Sequence, residues 1–191
     1  MLTQSHSTRE AWLVAAIGLA RPLFAVPGGP ELPPAIRISL GWPASRKALG
    51  ECWSPKASGD GTFEIFVAPG RDSPQEILAT VVHELAHVAD ACLHGHRRPW
   101  RRLAEAAGLI VGPRGQTHPG ADLDVRLNDW VNTLGALPHA AITKPAGKKQ
   151  STRMVKCECP DCGYMVRTTR KWIAVAVPCC PVDGDKMTVA E

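Results

Sequence analysis

An α+β fold is the class this sequence predicts, and three observations predict it. Helical stripes of apolar residues at 9–21, 73–92 and 99–107 bracket a run of short alternating segments between residues 36 and 67. A Cys-bearing stretch near the end is too small to build a core of its own and needs a metal to fold. The whole chain has 191 residues, 45% apolar and 21% charged, which excludes collagen-like, disordered and coiled-coil classes. Its longest apolar run, Ala11 to Ala20, is too short to span a bilayer, and Glu10 beside it argues against a signal peptide. The expectation is a cytoplasmic protein with no membrane partner.

The elements follow in order. Trp12, Leu13, Ala16, Ile17 and Ala20 form one helical stripe, which Pro22 stops. Gly and Pro between 27 and 34 make a loop. Ile36, Ile38 and Leu40 alternate with Arg37 and Ser39, the period of a strand with one wet face. Further strands are expected at 49–53 and 62–67, with the turn residues of 58–61 between them, giving a small antiparallel sheet. Ser73-Pro74-Gln75-Glu76 is a helix start with cap, first-turn Pro and capping-box Glu, and the helix should run to about Cys92. Another helix from Pro99 to Ala107 ends at Gly108. Residues 112–120 (GPRGQTHPG) are expected to be irregular, and a helix is expected from Leu123 to Leu134.

Charge and cysteine are unevenly spread. Residues 1–142 hold 13 basic and 13 acidic residues, whereas 143–191 hold 9 basic against 5 acidic, so the +4 surplus lies wholly in the tail. A neutral body with a basic tail suits an enzyme carrying a nucleic-acid-binding appendage. Cys52 and Cys92 stand alone, while Cys157, Cys159, Cys162, Cys179 and Cys180 are clustered. An odd thiol count without a leader points away from a disulfide framework and toward a metal.

His83-Glu84-Leu85-Ala86-His87 fits H-E-x-x-H. The i, i+4 spacing puts both imidazoles on one helix face within reach of one zinc, with Glu84 beside them to hydrogen-bond a water. Catalytic zinc takes three protein ligands and a water, so a third ligand is needed. His94 and His96 are the candidates, and Gly95 favours His96 by allowing the chain to turn back.

With these residues the sequence resembles the SprT-like (Spartan-type) metalloproteases. The resemblance rests on Ile65-Phe66-Val67 with Pro69 after it, HELAH at 83–87, and Gly95-His96 with Trp100 four residues on. It extends through Leu134-Gly135, Pro138-His139-Ala140 and the Cys159-Pro-Asp-Cys162-Gly163-Tyr164 segment with Arg167 and Trp172, covering about 35–180. It implies a zincin-like catalytic domain with His96 as third ligand, and a C-terminal zinc ribbon. It also implies a DNA-stimulated peptidase that degrades proteins crosslinked to DNA. The expected domains are a zincin-like unit at 5–142, a linker at 143–152 and a ribbon at 153–187.

In the ribbon, Cys159-x-x-Cys162 is one metal knuckle and Cys179-Cys180 returns later, with strands expected at 164–172 and 173–177. Adjacent cysteines in an extended chain point opposite ways, so one of the pair binds, and Cys180-Pro181 matches the family better. Cys157, Cys179 and Asp183 stay open as fourth ligand. Lys156, Arg167, Arg170, Lys171 and Arg153, interleaved with Tyr164 and Trp172, are candidate contacts to DNA, single strands preferred. The Arg97, Arg98, Arg101 and Arg102 cluster is a second candidate surface.

The expected function is therefore a zinc endopeptidase acting on DNA-bound protein, with one catalytic and one structural Zn²⁺. Glu84 moves a proton from water to the leaving amine. His118, His139 or an Arg must stabilise the oxyanion, because the only Tyr, Tyr164, lies in the ribbon. The alternatives are a zinc-ribbon nucleic-acid-binding protein whose HExxH domain is inactive or structural, and a DNA-independent metallopeptidase.

Overall fold

The computed structural model describes residues 6–25, 29–45, 47–143 and 153–190, and the chain divides into two compact units, 1–144 and 145–191. Of the linker expected at 143–152, residues 144–152 lie outside the described part. The architecture is mixed α+β, with small sheets and several helices. Among the described residues no helix is long and apolar enough to cross a membrane.

In the first unit, α1 (Arg9–Ala20) starts where the Thr8 hydroxyl accepts from the Ala11 N–H at 3.1 Å. Its expected stripe is buried, and the Trp12 indole N–H donates to the Gly135 carbonyl at 3.2 Å. The α-helix ends at Ala20, ahead of Pro22 as expected. The chain tightens into a 3₁₀ turn over Arg21–Phe24, since Pro is tolerated in a first turn.

Strands β1 (Ile36–Leu40), β2 (Gly50–Trp53) and β3 (Phe63–Val67) form a sheet of order β1-β3-β2. The sheet is mixed rather than antiparallel: β1 runs parallel to β3, and β2 pairs antiparallel with β3 at the edge. Alternation tells which face of β1 is wet and says nothing of its direction. The next strand, β2, lies not beside β1 but at the opposite edge, with β3 between them, and that order goes with the parallel β1–β3 pair.

Helix α2 (Pro74–Ala89) packs on this sheet, capped by the Ser73 hydroxyl accepting from the Glu76 N–H at 3.4 Å. It stops before Cys92 because Ala91 and Cys92 take left-handed φ values of 51° and 56°. Helix α3 (Arg98–Ala106) follows and ends at Gly108, φ 92°. Within the stretch expected to be irregular, 112–116 is a loop, but Thr117–Pro119 forms β5, which pairs with β4 (Leu109–Val111) as a hairpin. Its loop closes through Gly112 N–H to Gln116 O at 2.8 Å and Gly115 N–H to Gly112 O at 3.1 Å. Helix α4 (Ala121–Leu134) completes the unit, burying Leu123, Leu127 and Leu134.

In the second unit β6 (Met154–Glu158) pairs antiparallel with β7 (Met165–Thr169) and with the short β8 (Thr188–Val189). Here too the expected strands are corrected. The partner of β7 precedes the knuckle, and residues 170–175 form a short helix, α5 (Arg170–Val175). Only Ile173 of α5 turns toward the Cys-lined core, while Trp172 and Val175 face solvent, which is not the alternation of a strand.

Candidate metal centre

Helix α2 presents His83 and His87 half-buried on one face, one turn apart, and Glu84, which faces Gly50 of β2, is only 3% exposed. The left-handed pair Ala91–Cys92 and Gly95, φ 53°, fold the chain back and deliver His96. His96 Nε2 lies 3.2 Å from Nε2 of His83 and 3.2 Å from Nε2 of His87. Tetrahedral zinc with N ligands at 2.0–2.1 Å requires N···N separations of about 3.3 Å, so the donor set fits the metal. His94 is placed elsewhere: its backbone N–H and ring Nδ1 both engage the buried Asp90 carboxylate, at 2.8 and 2.7 Å.

Each imidazole is held from behind. His83 Nδ1 lies 2.9 Å from the Thr117 hydroxyl on β5, which leaves Nε2 free to bind metal. Trp100, fully buried on α3, stacks on His87 with ring centroids 4.9 Å apart and meets His96 edge-on at 4.5 Å. Arg101 donates to the His96 carbonyl at 3.1 Å and to the carbonyls of Gly112 and Pro113, each at 2.9 Å, stapling the His96 loop to the hairpin. That role removes Arg101 from the basic cluster offered for phosphate contact. A Cβ on Gly115, φ 83°, would sit 2.2 Å from His96 Cγ, so only glycine lets the imidazole in.

Burial drives the His83 imidazolium down to about 3 and His87 to about 4, with their neighbouring imidazoles adding to the effect. His96 is lowered as well, by burial and then by the Arg101 cation. All three are therefore neutral ligands at neutral pH. Burial pushes the Glu84 carboxyl up to about 8, with the charges of Cys92 and Glu51 adding to it. Edge strand β2 makes room for Glu84 through Gly50, where a Cβ would come within 2.5 Å of the carboxylate.

These groups open onto a groove of 620 Å³ that also reaches Leu49, Arg114, His118 and Leu127. Of the oxyanion candidates, His118 and Arg114 line it, whereas His139 Nε2 engages the Pro69 carbonyl at 3.0 Å. Thr117 and Gly115 were missed by the sequence reading. The apolar run Leu109–Val111 followed by the Gly-Pro-Arg-Gly turn was the hairpin signal that could have placed them.

The second unit gathers Cys159, Cys162, Cys180 and Asp183, whose ligand atoms all lie within 4.8 Å of one another. Cys162 and Cys180 Sγ are 3.4 Å apart, and the Cys159 thiol donates to Asp183 at 3.0 Å, which holds that carboxyl at about 2. Cys157 does not join the group. It lies fully buried on β6 opposite Val166 and serves as core, because β6 ends at Glu158 and the turn that gathers the group starts only at Cys159. Cys179 is exposed and outside the group too.

Asp183 takes the fourth place by a visible repeat. Cys159-Pro-Asp-Cys162-Gly163 and Cys180-Pro-Val-Asp183-Gly184 make the same turn, with Gly163 N–H to Cys159 O at 3.1 Å and Gly184 N–H to Cys180 O at 2.9 Å. Both glycines have left-handed φ, 73° and 84°.

The residues offered for nucleic acid lie outside that core. Lys156 sits directly across from Arg167 on the β6–β7 ladder. Arg167, Arg170 and Lys171 are exposed, and Trp172 is 59% exposed with the Lys171 ammonium 5.3 Å from its ring centre. Compared with known proteins, the chain matches no family model, no curated protein and no solved structure.

Proposed function

We propose that the chain is a zinc-dependent peptidase of the SprT-like kind, a zincin-like catalytic unit with a zinc-ribbon tail, acting on DNA-bound proteins. The observation that carries this reading is the convergence of the His83, His87 and His96 Nε2 atoms beside the buried Glu84, in the wall of a groove. His83, His87 and His96 hold the metal, and Thr117 keeps His83 in the tautomer that can bind. Zinc bound there supplies acidification of a water and polarisation of a peptide carbonyl.

Glu84 does not bind metal. In its carboxylate form, which a zinc charge beside it would favour over the metal-free acid, it takes a proton from water in the groove and returns it to the leaving amine. His118 and Arg114 are the groove-lining donors available to a developing oxyanion. DNA association is supported by the basic surplus beyond residue 142 and by the exposed Trp172 among Arg167, Arg170 and Lys171.

The test is a peptidase assay on purified wild type and Glu84→Gln, with and without single-stranded DNA. Activity present in wild type, absent from the variant and raised by DNA supports the reading. Equal activity in both proteins overturns the mechanism. DNA-insensitive activity leaves a plain metallopeptidase, and DNA binding without activity leaves a nucleic-acid-binding protein with a structural His site.

A further inference from the structure

Cys52 and Cys92 belong to neither metal group, yet they meet across the fold. Cys52 lies on edge strand β2, and Cys92 follows α2 in the turn that leads to His96. Their sulfurs are 3.5 Å apart, both thiols are free and both are only partly buried. Cys92 reaches this position through a left-handed φ of 56°, adjacent to Ala91 at 51°. Two successive non-glycine residues in that region are uncommon, and the backbone here is committed to presenting the thiol toward β2. Cys52 shares a strand face with Gly50, which contacts Glu84, so the thiol pair borders the candidate catalytic carboxyl.

We infer that Cys52 and Cys92 form a peroxide-sensitive dithiol that closes to a disulfide, tethering β2 to the turn that carries the chain from α2 to His96. The oxidant is a hydroperoxide such as H₂O₂. The Cys92 thiolate attacks one peroxide oxygen, the O–O bond breaks, and a Cys92 sulfenic acid and water result. The Cys52 sulfur then attacks the sulfenic sulfur, the S–OH bond breaks, and a second water leaves as the S–S bond forms. Two thiols are oxidised and one peroxide is reduced to two waters. The division of labour follows from placement: Cys92 sits in a turn between the exposed Ala91 and Leu93, where peroxide reaches it, whereas Cys52 is held on strand β2. The sulfurs need to approach by about 1.5 Å to reach a bond length of about 2.05 Å, a shift a side-chain rotation and an edge strand can accommodate.

The inference is independent of peptidase activity, and so is its test. Full-length zinc-loaded protein is treated with equimolar H₂O₂, remaining thiols are alkylated, and peptides are mapped by mass spectrometry. The expected product is a linked Cys52–Cys92 peptide about 2 Da lighter than the two reduced peptides, reversed by dithiothreitol. Closing a loop between positions 40 residues apart should raise Tm by on the order of 10 °C. In Cys52→Ser a dimedone adduct should accumulate on Cys92, with no rise in Tm; Cys92→Ser should leave Cys52 unmodified. Both thiols still alkylatable after peroxide, or Cys92 linked to a ribbon cysteine, would overturn the inference. So would an equal Tm rise in Cys52→Ser.

Discussion

Burial, more than any neighbouring charge, sets the protonation of the groups around the candidate metal point, and it acts in opposite senses on acid and base. In the metal-free folded chain Glu84 keeps its proton up to about 8, against an ordinary 4.5, so the folded state binds more protons than the unfolded chain in that window. Stability therefore falls as pH rises through it. His83 and His87, at about 3 and 4 against 6.5, bind fewer protons when folded, and they lower stability as pH falls through their window. Glu84→Gln should make the metal-free chain more stable than wild type at pH 8, by on the order of 2 kcal/mol, with the gap closing toward pH 5. Denaturant titrations with chelator at both pH values check this; a gap that widens on acidification contradicts it. The same variant should retain zinc while losing peptidase activity. Thr117→Val removes the hydroxyl that orients His83, and chelator competition should show zinc affinity reduced about 10–100-fold. Unchanged affinity would mean that the 2.9 Å contact does no orienting.

At the scale of elements, what was legible in the sequence was what depends on local pattern. The Ser73–Glu76 start of α2, the i, i+4 His pair and the stripe of α1 are written in neighbouring residues, and the structure places them there. Strand direction was not legible, since β1 alternates identically in either orientation and only the order in which the strands join the sheet decides. Nor was β5, because Thr117-His-Pro is too short and too polar to announce a strand without its partner β4. The fourth member of the Cys/Asp group was legible only by comparing the two turns. Because Asp183 stands where Cys162 stands in the first turn, Asp183→Cys should tighten the site by supplying a softer ligand. For a structural Zn²⁺ site, typically worth about 10–16 kcal/mol, losing Asp183 as one of four candidate ligands in Asp183→Ala predicts roughly 100-fold weaker zinc binding. The wild-type chain should carry about two zinc equivalents, and His83→Ala should lose about one while keeping the one expected at the Cys/Asp group. Zinc content unchanged in His83→Ala would dissolve the His site.

For the molecule as a whole, charge is the property that separates its two parts: the body is neutral, and the entire surplus follows residue 142. A sequence reading could place those charges along the chain but not decide whether Trp172 was core or surface. The second unit buries Cys157, Cys159, Cys180 and Met187 instead and leaves the indole 59% exposed. This arrangement frees the ring for stacking beside Arg167, Arg170 and Lys171, which form no ion pairs among the described residues. Single-stranded DNA should then bind the full chain with an affinity that falls by about 0.7 log unit per log unit of salt for each phosphate contact. Changing Arg167, Arg170 and Lys171 together to Ala should lower that slope by up to about 2. Trp172→Ala should weaken binding by about 1–3 kcal/mol, or roughly 5–150-fold, and leave the slope unchanged, because stacking releases no counterions. Gel-shift titrations across salt distinguish the two effects. If neither variant alters binding, the contact moves to the exposed Arg97, Arg98 and Arg102 at the start of α3, beside the His96 turn.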